Sequence, residues 1–239
     1  MHLNLEGKTI VVGGGGGGIG IHLCEILKRE KAVAVPADLK SGIDLADPDH
    51  CRRFFDGLKK IHKRMDGYVS LVYGGGGTTG IGGVTPSEMD RVMRQTFYAA
   101  FYPVQEAIAW MKETGGGQIV IVSSVNSVLG LNEAAYDCAK GATNRIAPDI
   151  ATSCGRFGIY ATTLLIGSVA GTPSWSWKGR GEVLEEIAAG ISDGKAITVD
   201  EVARTIAFLL TPPATIFNGS ELVADKGWRL TPHWRKTDS

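Results

Sequence analysis

Thr9-Ile10-Val11-Val12-Gly13-Gly14-Gly15-Gly16-Gly17-Gly18-Ile19-Gly20 decides the fold. Four consecutive β-branched residues, three of them apolar, read as a buried strand. Six glycines follow without interruption. From Ile19 to Arg29 the pattern changes period, and Leu23, Ile26 and Leu27 fall on one side of a helix. Glycines between a strand and a helix allow a tight turn and close approach of the backbone to a ligand. The helix N-terminus beyond them offers free N–H groups and the positive end of a dipole. The stretch therefore suits a bound pyrophosphate. No Lys-Ser/Thr pair follows the glycines, which argues against a nucleoside-triphosphate loop.

The same alternation continues down the chain. Strands are expected at Ala32-Val33-Ala34-Val35, Tyr68 to Tyr73, Gln118 to Ser123, Tyr160 to Ile166 and Ser220 to Ala224. Helices are expected from Asp47-Pro48, from Pro86 to Lys112, from Ala134 to Ser153 and from Val199 to Leu210. Continuously apolar strands alternating with helices predict an α/β fold: one doubly wound parallel sheet, residues 1–239 as a single domain, with helices on both faces.

Composition bounds the function. The chain has 239 residues and 44% hydrophobic content, enough for a large core. Twenty-five basic and 25 acidic residues balance, so no electrostatic case exists for nucleic acid or an anionic membrane. No apolar run approaches the roughly 20 residues that span a bilayer. Met1 to Glu6 lacks the pattern of a secretory signal. Cys24, Cys51, Cys138 and Cys154 are scattered, as expected for reduced thiols in the cytoplasm. The five histidines show no metal-ligand spacing, and no metal site is expected.

Chemistry concentrates at Ser124, Tyr136 and Lys140. Tyr136 and Lys140 are spaced i and i+4, so a helix places them on one face. A phenol titrates near pH 10, and an adjacent ammonium favours its ionised form. The pair suits proton transfer to or from an alcohol or carbonyl oxygen. Asp38, just after the second strand, is placed to accept hydrogen bonds from ribose hydroxyls and to repel a 2′-phosphate, with Lys40 the one nearby cation.

Together these residues resemble the short-chain dehydrogenase/reductase family over nearly the whole chain. The family's T-G-x-x-x-G-I-G loop matches Gly13 to Gly20, with Gly13 in place of Thr. Its adenine-contacting pair after the third strand is similar to Asp44-Leu45, and the short segment before it leaves no room for the usual helix. Its N-N-A-G falls on Tyr73-Gly74-Gly75-Gly76, its P-G on Ile166-Gly167, its threonine segment on Gly171-Thr172-Pro173 and its D-G-G on Asp225-Lys226-Gly227. The resemblance implies a Rossmann fold and an NAD cofactor, with NADP disfavoured. Cofactor contacts are implied at Gly14, Gly18, Ile19, Gly20, Asp38, Asp44, Leu45, Gly74, Gly75, Tyr136, Lys140, Gly167, Val169 and Thr172. It also implies roles. Tyr136 transfers the proton, Lys140 lowers its pKa and bonds the nicotinamide ribose, and Ser124 donates to the substrate oxygen. Ser123 is the substitute if Ser124 faces away. A homodimer or homotetramer is implied, built on the two long helices.

Three departures stand out. The family's helix asparagine falls on Thr96, which cannot reproduce an amide's geometry. The strand-end asparagine pair is Tyr73-Gly74. Pro148 lies inside the expected catalytic helix, where a proline costs about 3 kcal/mol. Residues 174–195, with Trp175, Trp177, Val183, Leu184 and Ile187, are the expected substrate lid. Two function classes follow. One is an NAD(H)-dependent oxidoreductase acting on a secondary alcohol or ketone of a small apolar or ring-containing molecule. The other is a cofactor-binding regulator or assembly partner with little catalysis.

Overall fold

The computed structural model describes residues 3–75, 79–172, 180–191 and 193–231. A six-stranded parallel sheet forms its centre, in the order β2-β1-β3-β4-β5-β8. The strands are β1 (Thr9–Gly13), β2 (Val33–Ala37), β3 (Gly67–Ser70), β4 (Gly117–Ser124), β5 (Ile159–Ile166) and β8 (Glu221–Ala224). A small parallel pair, β6 (Val169–Ala170) and β7 (Ile197–Thr198), sits apart from it. The helices are α1 (Gly18–Arg29), α2 (Pro48–Ile61), α3 (Pro86–Met93), α4 (Ala99–Thr114), α5 (Ala134–Asn144), α6 (Ile146–Cys154), α7 (Arg180–Ala189) and α8 (Val199–Leu209).

Strand alternation feeds two cores. Ile10 and Val12 of β1, with Val120 and Val122 of β4, pack on one face against Leu23 and Leu27 of α1 and Val202 and Ile206 of α8. Val11, Ile119 and Ile121 point the other way, against Phe55 of α2, Trp110 of α4 and Ile150 of α6. Each large side chain buried this way contributes about 1.5–3 kcal/mol. Both faces of the sheet are covered, as the unbroken apolar strands required.

Strand order reverses between β1 and β3. Ligands of such sheets bind in the crevice at the carboxyl ends of the strands flanking that point.

Three local expectations need correction. The long helix from Pro86 is divided by a π-helical turn, Arg94–Tyr98, before α4 begins. The helix from Ala134 ends at Asn144 and restarts at Ile146. Pro148 then lies in the first turn of α6, where a missing N–H costs nothing, so the proline marks a new start rather than strain inside one helix. Asp44 does not follow a third strand. Only a short 3₁₀ turn, Leu39–Ser41, separates β2 from the Asp44 segment. Among the described residues β2 is therefore the sheet edge, and it contains Pro36. Val33 N–H donates to Lys8 and the Ala37 carbonyl accepts from Gly14. Positions 33, 35 and 37 thus face β1, and Pro36 faces outward, where no ladder donor is required.

Candidate active site

The glycine loop is held by backbone. Gly14 has φ +80°, and a Cβ there would stand 2.7 Å from the Leu71 carbonyl oxygen. A Cβ on Gly20 would strike the Gly14 carbonyl. Gly18 and Ile19 open α1, whose first turn carries no acidic residue. These features leave a cradle at a helix N-terminus that fits a pyrophosphate. Gly13 replaces a family threonine for a visible reason. A Cβ there would lie 2.6 Å from the Tyr68 hydroxyl, so Tyr68 fills the threonine's volume. That hydroxyl is fully buried without a hydrogen-bond partner.

Asp38 caps the 3₁₀ turn. Its Oδ1 accepts from Lys40 N at 2.7 Å and Ser41 N at 3.2 Å, and Oδ2 faces Gly16. Lys40 Nζ donates to the Gly16 carbonyl at 3.1 Å. Both charges therefore reach the loop. Asp44 accepts from Ala46 N at 2.9 Å and pairs with Arg94 of the π turn at 3.1 Å. Leu45 is buried and lies against Gly13.

On the other side of the crevice, α5 carries Tyr136 and Lys140 on one face, as the spacing predicted. Ser124 ends β4 and caps the turn Val125–Ser127 by accepting from Asn126 N at 3.2 Å. Ser124 lies near enough to the Tyr136 phenol to pull its pKa down, against the larger upward push of burial. Ser123 instead donates to the Lys140 carbonyl at 3.4 Å, so the substitute faces α5 backbone. Lys140 is 4% exposed, and its Nζ donates to the Val122 carbonyl at 3.0 Å and the Val72 carbonyl at 3.4 Å. The ammonium sits 5.8 Å from the centroid of the Tyr136 ring.

Electrostatics here differ from expectation. Burial pushes the Tyr136 phenol above its ordinary value, and Tyr73, Glu133 and Asp137 push the same way. Burial also lowers Lys140 to about 8. The expected lowering of Tyr136 by Lys140 is outweighed, because both groups have left water and the ammonium faces the ring.

Thr96 lies in the π turn, a helix irregularity frequent at functional sites. Its hydroxyl is buried with no hydrogen-bond partner. A Cβ on Gly74 would collide with Gln95 Cβ and stand 3.0 Å from Thr96 Oγ1, so this turn fills the space of the family's second strand-end asparagine. Gly75 has φ +78° with open space around it. Gly167 packs on Asp225 and Ile197, Val169 pairs with Ile197, and the Thr172 hydroxyl donates to the Val169 carbonyl at 3.1 Å. Trp175 and Trp177 lie outside the described residues.

The structure adds residues that spacing did not single out. Tyr73 packs edge-on against Tyr136, centroids 5.6 Å apart. Asn126 joins Ser124 to α5, and Arg94 joins Asp44 to the π turn. An amide two residues after the candidate serine was the available signal for Asn126.

Comparison with known proteins agrees with this geometry. A family model described as enoyl-(acyl carrier protein) reductase matches residues 21–229. Versicolorin reductase stcU of Emericella nidulans is 28% identical over 259 residues, covering 93% of this chain and 96% of that protein. Tropinone reductase-like 2 of Erythroxylum coca is 24% identical, covering 96% and 93%. Cyclopentanol dehydrogenase of Comamonas testosteroni is 24% identical, covering 92% and 96%. Ligand-free aldohexose dehydrogenase of Thermoplasma acidophilum superimposes with a TM-score of 0.88 at 20% identity, covering 98% of each chain. Strand order, glycine cradle and matched span converge: the chain belongs to the short-chain dehydrogenase/reductase family.

Proposed function

We propose that the protein is an NAD(H)-dependent oxidoreductase that interconverts a secondary alcohol and a ketone on a small apolar or ring-containing molecule. One observation carries the proposal. Tyr136 and Ser124 place two hydroxyls together at the carboxyl end of β4, with Lys140 behind them and a glycine cradle across the same crevice. The relatives named for cyclopentanol and tropinone support a ring-containing substrate.

A bound nicotinamide supplies or accepts the hydride, which side chains cannot do. The cradle of Gly14, Gly18, Ile19 and Gly20 holds the pyrophosphate, and Asp38 takes the adenosine ribose. Asp44 and Leu45 border the adenine. Gly74, Gly75, Gly167, Val169 and Thr172 line the nicotinamide end, and Lys140 reaches its ribose. Tyr136 moves the proton at the substrate oxygen, and Ser124 stabilises charge there. Thr96, with a buried hydroxyl that has no hydrogen-bond partner, stands in the place of the family's helix asparagine. The segment around α7, where Val183 is 46% exposed, closes over the substrate. Four free cysteines fit a cytoplasmic setting.

The second reading, a cofactor-binding protein with little turnover, draws on Thr96 in the asparagine position and the raised Tyr136. A screen of cyclic alcohols and ketones with NAD and NADP separates the two. On any substrate found, Tyr136→Phe should lower kcat by at least about a hundredfold while NAD affinity barely changes. Retained turnover would falsify the assignment of Tyr136.

The groove bordered by Phe97, Phe101, Ile108, Ile146 and Ile150 supports assembly into a dimer or tetramer through α4 and α6. Light scattering at micromolar concentration should show more than a monomer.

A further inference from the structure

We infer that Arg94 is a positioning residue for the dinucleotide: its ion pair with Asp44 holds the segment that borders the adenine, so that the Asp44 carboxylate accepts from the adenine amino group. The inference rests on the reading of Asp44 and Leu45 as the adenine side of an NAD site.

The segment from Ile43 to Asp47 has no strand to hold it. Only the 3₁₀ turn Leu39–Ser41 lies between it and β2, and α2 starts at Pro48. Its own hydrogen bonds are local. Ile43 N–H donates to the Asp38 carbonyl at 3.0 Å, Asp44 N–H to His50 Nδ1 at 3.4 Å, Ala46 N–H to Asp44 Oδ1 at 2.9 Å and Asp47 N–H to the Asp44 carbonyl at 3.3 Å. Leu45 and Ala46 are buried and give it an apolar anchor. Among the described residues, Arg94 supplies its one polar tie to a distant part of the chain, 50 positions away, with Nη2 donating to Asp44 Oδ2 at 3.1 Å.

The base of that tie is firm. Arg94 opens the π turn, and its carbonyl accepts from Ala99 N–H. Beside it Thr96 is fully buried, and Gln95 leaves no room for a side chain at Gly74. An ion pair between two floating side chains on the surface contributes little. Here the guanidinium and the carboxylate are both about half-exposed, and each starts from backbone that is held in place. With Oδ1 taken by Ala46 N–H and Oδ2 by Arg94, the carboxylate has one orientation. The contact uses a single nitrogen, so it is a point-charge contact that a lysine can imitate.

A carboxylate only accepts. Adenine presents an amino group, a donor, where hypoxanthine presents a carbonyl oxygen, an acceptor. A fixed Asp44 therefore prefers adenine, and one that swings freely discriminates less.

The test is calorimetric and needs no substrate. NAD is compared with nicotinamide hypoxanthine dinucleotide, which differs from it only at that edge of the base. The wild type should bind NAD at least about tenfold more tightly. In Arg94→Met the ratio should fall to about twofold, with NAD affinity carrying the loss. Arg94→Lys should restore most of it. In an Asp44→Asn background, Arg94→Met should leave the ratio unchanged, because the pair is already gone. Raising salt from ~0.05 to ~0.5 M screens the pair in the intact protein and should lower its ratio too, a readout that needs no variant to fold. Loosened structure would weaken both dinucleotides alike. A ratio that Arg94→Met leaves at its wild-type value overturns the inference, and so does a wild type that binds both dinucleotides equally. A wild type that binds neither overturns the cofactor reading itself, and the inference falls with it.

Discussion

The two sides of the crevice are built by different means. Beside β1 the site is backbone: Gly14 and Gly20 are enclosed by carbonyls of the chain itself. Beside β4 the site is side chain: Ser124, Tyr136 and Lys140 are buried polar groups, with Asn126 half-buried beside them. A backbone site has almost no freedom, so a single added methyl breaks it. A side-chain site is adjustable, and its properties depend on which proton sits where.

The largest effect should come from Gly14→Ala. The residue has φ +80°, and the new Cβ would meet the Leu71 carbonyl at 2.7 Å. Strain and collision fall directly on the cradle, and NAD affinity should drop by at least about a hundredfold, together with a lower Tm. Gly115→Ala, away from the crevice, is the matched control. Its φ is +92°, yet an added Cβ would meet nothing within 4 Å. Calorimetry showing equal losses for both variants would break the comparison.

Lys140→Met sharpens the other side. Lys140 titrates at about 8 instead of its ordinary 10.5. Between those values the unfolded chain binds more protons than the folded one, so stability rises with pH. Below about 8 both states are protonated and the burial cost is fully present. Urea unfolding of the wild type should therefore gain stability from pH 8 to pH 10.5, and Lys140→Met should lack that gain. A parallel slope in both proteins would show that Lys140 is not the source.

The smallest effect is expected at Asp38, where backbone and side chain meet. Asp38→Asn keeps an oxygen to cap the 3₁₀ turn and removes the charge facing Gly16. The ratio of NADP to NAD affinity should rise about tenfold, helped by the Lys40 ammonium beside it. Equal or tighter NADP binding by the unaltered protein would remove Asp38 as the selector.

The same division explains how far the sequence could be read. The glycine loop was legible because its requirement is local: a turn between Val12 and Ile19 that admits no side chain. The i, i+4 pair of Tyr136 and Lys140 was legible because helix geometry is fixed. The break at Arg145 was half legible. Pro148 signalled trouble, but only the structure shows a second helix starting two residues earlier, at Ile146. Tyr68 under Gly13, Gln95 against Gly74 and Arg94 on Asp44 were not legible at all. Each joins residues 20 or more positions apart, and sheet order rather than sequence pattern brings them together. The electrostatic state of Tyr136 was misjudged for a related reason. Spacing shows that an ammonium is near, but not that both groups are buried or that the charge lies over the ring.

Pro36 has a consequence for life before the fold is complete. An uncovered parallel edge is a template on which a second chain can grow, and β2 has only two outward positions, Ala34 and Pro36. The proline removes one of the two donors that an incoming strand would need. With Val33 and Leu39 exposed nearby, this ring is a stopper against fibre-like stacking while the chain is being made and at high concentration. A sheet that has lost a neighbouring strand can remain unpartnered because one residue makes its open side a poor place to continue.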